Sequence, residues 1–133
     1  MGKLVHGIVV KFPIGFDTIV NALKDVNIAS NVFGEVLKTK PRVAVFIGEK
    51  YYFRAKSGLM ATTIVIESSE GAIVKVIAGG GKESFIDFFD LGASKSYAHK
   101  ILDELANRLR LKPIILAEVD HLDHKKAHKL YGI

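Results

Sequence analysis

The sequence predicts an α+β fold, an antiparallel sheet of about five to six strands with two main helices on one face and a short C-terminal helix. Three observations predict it. Apolar residues recur with a period of two, or as short β-branched runs, through residues 4–12 and 43–78. Two segments, after Asp17 and after Ser94, repeat instead at helical spacing. Glycine-containing turns join the central runs as hairpins, giving the order β-α-β(4-5)-α, which suits helices gathered on one face of the sheet.

The elements follow in order. "KLVHGIVVKF" puts Leu4, His6, Ile8, Val10 and Phe12 on one strand face until Pro13 and Gly15 break it. Asp17 serves as N-cap for a helix to about Val26, with Ile19, Val20, Leu23 and Val26 on its apolar side. Residues 27–31 read as a turn and "VFGEVLKT" as a short strand. "RVAVFI" and "YYFRAK" read as strands joined through Gly48-Glu49-Lys50, and "LMATTIVIE" and "AIVKVIA" as a hairpin closed by residues 68–71.

Ser94 then caps a helix to about Leu111, with Ala98, Ile101, Leu102, Leu105 and Leu109 as its stripe and Glu104–Arg108 as an i,i+4 pair. Pro113 ends it. "IILAEV" reads as a further strand, with a helix opened by Pro113 as the alternative. Asp120 caps a short terminal helix to about Leu130, so that residues 120–133 form a helical extension of one domain spanning 1–133.

That order resembles the helix-grip and TATA-binding-protein-like folds, which share a β-α-β(4)-α core. The triplet Gly79-Gly80-Gly81 and the run Asp90-Leu91-Gly92-Ala93 before the long helix are also similar to those of small domain-of-unknown-function proteins. The resemblance covers residues 3–111 and implies no activity, because such folds host unrelated functions.

Composition narrows the function classes. With no cysteine, the chain has no disulfide, thiolate nucleophile or cysteine-ligated zinc. Glutamine and tryptophan are also absent, as a thermophilic source would favour. No apolar run approaches the ~18 residues that span a bilayer, and the N-terminus lacks a cleavable signal pattern, so a cytoplasmic protein is expected. The net charge of +5 is unevenly placed: residues 1–66 hold nine basic and four acidic side chains, residues 67–133 ten of each.

The basic half points to an anionic partner. In "GEKYYFRAK", strand alternation sends Lys50, Tyr52, Arg54 and Lys56 to one side, with Tyr51, Phe53 and Ala55 entering the core. Lys38, Lys40 and Arg42 extend that surface. Cations neutralise phosphates and an aromatic ring stacks on a base, so nucleic acid or a phosphate-bearing ligand is the expected partner. The bland reading is a solvated face whose lysines guard against mispairing.

Two further constellations offer alternatives. Phe85, Ile86, Phe88, Phe89 and Leu91 crowd seven residues and could wall an apolar pocket under the long helix, making a small-molecule carrier. His121, His124 and His128 fall on one helical face and could share zinc or a similar divalent ion in a metal-dependent hydrolase, although neighbouring lysines oppose it. "AGGGKESF" fails both the P-loop and the G-x-G-x-x-G patterns. His6 reads as a core histidine with a satisfied hydrogen bond, and His99 as a surface partner of Asp103. No hydrolase elbow or nucleophile pair is recognisable, so the sequence favours a non-catalytic binding module with no required cofactor.

Overall fold

The β-branched runs become strands and the two periodic segments become helices. A computed structural model describes residues 5–25, 30–52, 57–80, 93–120 and 129–130 of the chain. Strand β1 spans His6–Phe12, helix α1 Phe16–Lys24, β2 Ser30–Leu37, β3 Val43–Tyr52, β4 Ser57–Ser68 and β5 Gly71–Gly80. Helix α2 spans Ala93–Leu109 and β6 spans Ile114–Asp120. All six strands join one antiparallel sheet in the order β2-β3-β4-β5-β1-β6.

Pleat alternation gives the sheet two faces, and both helices cover the same one. Ile8, Val10 and Phe12 of β1 and Val74, Val76 and Ala78 of β5 pack there against Ile19 and Leu23 of α1 and Ile101 and Leu105 of α2. Burying each large aliphatic side chain contributes roughly 1.5–3 kcal/mol, so the stripe of α2 fixes the helix to the sheet. The helix ends at Leu109, and Arg110 follows it with a left-handed φ of 55°. Its N–H donates to the Asn107 carbonyl and that of Leu111 to the Ala106 carbonyl, the two bonds of a Schellman cap.

The second face is also apolar over β3 and β4, where an antiparallel sheet usually turns polar side chains to water. Val45 and Ile47 stand there beside Ile64 and Ile66. Leu130 reaches this face from the C-terminal side. Its side chain lies against Gly7, and its carbonyl accepts a 2.7 Å hydrogen bond from Lys75 Nζ.

Several elements differ from the sequence expectation. Gly48-Glu49-Lys50 is no turn. It lies inside β3, which pairs with β4 without interruption from Val43↔Ile66 to Tyr52↔Ser57, so the hairpin reverses beyond Tyr52. Ten consecutive cross-strand pairs outweigh the low strand preference of one glycine. Helix α1 is capped at Gly15 rather than Asp17, which sits in its first turn where a carboxylate suits the positive end of the helix dipole. Residues 114–120 are strand, the first of the two readings of that segment, and Asp120 is its last residue. The remainder of the expected terminal helix, residues 121–128, lies outside the described residues.

Candidate functional site

At one end of the helix-covered face, the sheet and α2 bring together three side chains separated widely in sequence. His6 begins β1, and Glu118 lies two residues from the end of β6. Antiparallel pairing sets His6 opposite Asp120 and Ile8 opposite Glu118, which places Glu118 on the same face as His6. His99 descends from α2, one residue past the buried Ala98 and two past the buried Tyr97.

His6 Nε2 donates to Glu118 Oε2 at 2.6 Å, and His99 Nε2 donates to the same oxygen at 2.7 Å. The ring centroids are 6.1 Å apart and tilted by 38°. His6 is 5% exposed, whereas His99 is about one-third exposed and Glu118 faces water on one side, so the cluster is rooted in the core and open outward. Partial burial works against the Glu118 charge. The hydrogen bonds from His6 and His99 outweigh that effect and hold the carboxyl below its ordinary value.

The ligand atoms of His6, His99 and Glu118 all lie within 4.8 Å of one another, the one such group of three among the described residues. Two imidazole nitrogens and one carboxylate oxygen form a donor set that binds zinc and other divalent transition ions. Ligand atoms around a tetrahedral zinc stand roughly 3.3 Å apart, so an ion would spread the present contacts by only ~0.6 Å and replace the two Nε2 protons. The chain matches no protein-family model and no curated protein sequence.

The sequence-derived residues fall elsewhere. Arg42 is no free cation. Its guanidinium takes both Asp17 oxygens at 3.1 and 3.2 Å, bonds Glu67 at 2.9 and 3.2 Å, and stacks 4.6 Å over the Phe16 ring. Hydrogen bonds to Glu67 and then Asp17 raise its pKa further, and the bonds from Arg42 hold Glu67 below its ordinary value. Arg42 thus ties the start of α1 to the ends of β3 and β4, beside an open cleft of about 500 Å³ lined by Ile14, Asp17, Glu67 and Glu70. Two carboxylates already compensate its charge.

Lys38 and Lys40 are exposed beyond the end of β2, with no ion pair among the described residues. Alternation puts Lys50 on the same face as Ala44 and Phe46, the helix-covered one. The Tyr52 side chain, Arg54 and Lys56 lie outside the described residues, as do Phe85, Ile86, Phe88, Phe89, Leu91, His121, His124 and His128.

Sequence reasoning saw His6 and His99 separately and missed Glu118. His99 bonds Glu118 rather than the expected Asp103. A signal was present. Each of His6 and Glu118 interrupts an apolar strand near its end, and His99 sits beside an apolar stripe, but only the β1–β6 pairing shows that the interruptions meet.

Proposed function

We propose that this protein binds a divalent transition-metal ion through His6, His99 and Glu118. One observation carries the reading: three ligand atoms of metal-binding type converge from three elements, with one imidazole anchored in the core. Each ligand has its own support. The β1–β6 ladder orients His6 and Glu118, and the packed stripe of α2 orients His99. Two imidazoles and one carboxylate leave coordination positions for water, and a divalent ion acidifies bound water and polarises carbonyl or phosphoryl oxygens. Metal-assisted hydrolysis is the chemistry that such a centre supports, and the absence of cysteine fits an ion held by nitrogen and oxygen alone.

The test is binding of zinc and cobalt(II) to untagged, chelator-treated protein. Calorimetry is expected to show one site per chain. Cobalt is expected to give visible absorption bands of a nitrogen- and oxygen-ligated centre. At metal concentrations ~100 times Kd, the folded state gains ~2.7 kcal/mol. Affinity falls on acidification, because protons compete with the ion for Nε2. His6→Ala and His99→Ala each abolish the bands. Equal binding by both variants would sink the proposal.

A second reading, contact with an anionic partner such as nucleic acid in the cytoplasm, is favoured by exposed Lys38 and Lys40. Labelled oligonucleotides are expected to bind weakly at low salt and to be released as salt rises, with Lys38→Glu/Lys40→Glu reducing affinity. Binding indifferent to both salt and these changes would remove this reading.

A further inference from the structure

The second face of the sheet carries a charge pattern that complements itself. Cross-strand pairing places Glu35 of β2, Val45 of β3, Ile64 of β4 and Lys75 of β5 in one row across that face. The row reads acidic, apolar, apolar, basic. Glu35 is exposed and makes no ion pair among the described residues. Lys75 bonds the neutral Leu130 carbonyl, and among the described residues no carboxylate pairs with it, leaving ammonium protons for a further acceptor.

We infer that this face is the interface of a two-fold dimer formed with a second copy of the chain, the two-fold axis running parallel to the strands between β3 and β4. Rotation about that axis lays β2 over β5 of the second copy and β3 over its β4. Glu35 then meets Lys75 of the second copy, Val45 meets Ile64, and symmetry repeats both contacts. The flanking rows follow the same rule: Phe33 falls over the part-exposed Ile77, and Leu37 over Ile73, which is already buried within its own chain. Phe33 is 46% exposed and Leu37 40%, high values for large apolar side chains that the second copy would cover.

Charge also selects this axis over its rival. A two-fold axis running across the strands would stack β2 on β2 and set Glu35 against Glu35. Sheets related by the chosen axis stack face to face about 10 Å apart with strands within about 30° of each other, the aligned packing of β-sandwiches. Leu130 lies against Gly7 on β1, on the far side of Lys75 from β2–β4.

Sedimentation and light scattering of the full chain at tens of micromolar test the arrangement. Wild type is expected to dimerise. Glu35→Lys and Lys75→Glu each create two like-charge contacts and are expected to weaken the dimer roughly 100-fold. Mixing the two variants restores a heterodimer, because each of its two contacts then joins one ammonium to one carboxylate. Circular dichroism checks that each variant is folded. Should Lys75→Glu fail to fold, Glu35→Lys alone suffices, since Glu35 is exposed. A wild-type monomer overturns the inference. So does a dimer that Glu35→Lys leaves intact, or two folded single variants that stay monomeric when mixed.

Discussion

Adding one methyl group at Gly71 is expected to destabilise the fold by about 3–5 kcal/mol. Gly71 opens β5 with φ = 138°, a conformation that residues with a Cβ rarely adopt. The obstacle is steric as well as torsional. A Cβ there would overlap the Phe12 carbonyl oxygen and stand 3.1 Å from Pro13 Cα, both backbone atoms that no rotamer change can move. Relief requires the start of β5 to separate from the end of β1, next to the last pair of their ladder, Phe12↔Ala72. Strand β1 also carries His6 at its other end, so loosening it disturbs the candidate centre.

Gly15→Ala is the matched control. A Cβ at Gly15 meets nothing within 4 Å, and its φ of −65° suits any residue. Its effect is expected within about 0.5 kcal/mol, the reduced unfolded-chain entropy offsetting a slightly poorer cap. Urea denaturation of the two variants separates these outcomes. A Gly71→Ala protein as stable as Gly15→Ala would show that the β4–β5 turn relaxes without cost.

How far the sequence speaks depends on the range of the interaction. Strands β1, β4 and β5 and the stripe of α2 were legible, because alternation and helical spacing are local consequences of burying one face. Gly48 misled because a turn signal is local while the β3–β4 ladder that overrides it is not. Arg42 reads as a free cation in sequence and becomes a clamp only when Asp17 and Glu67, each 25 residues away, fold against it. The centre was the least legible part. His6 and Glu118 are 112 residues apart, and only the position of β6 beside β1 joins them. Continuous apolar runs in β3 and β4 did carry information on both faces at once, which is the pattern of strands that expect cover on each side.

Glu118 distinguishes a metal ligand from a structural acceptor. In chelator-treated protein, Glu118→Ala leaves the buried His6 ring without its hydrogen-bond acceptor, and a loss of about 1–3 kcal/mol is expected. Glu118→Gln retains a carbonyl oxygen for the same donor and should recover most of that loss. The two variants also differ from wild type in acid. Against the effect of partial burial, hydrogen bonds from His6 and His99 depress the Glu118 pKa, so its carboxylate contributes stability above the unfolded-chain value of about 4.3. That contribution drains as pH falls through the lower folded value, and neither Glu118→Gln nor Glu118→Ala has it to lose. Metal separates the roles. A neutral amide is a poor ligand for a divalent ion, so zinc is expected to stabilise wild type and leave both variants nearly unchanged. If zinc stabilised Glu118→Gln as much as wild type, the carboxylate would be a structural partner of two histidines, and the ion would be bound elsewhere.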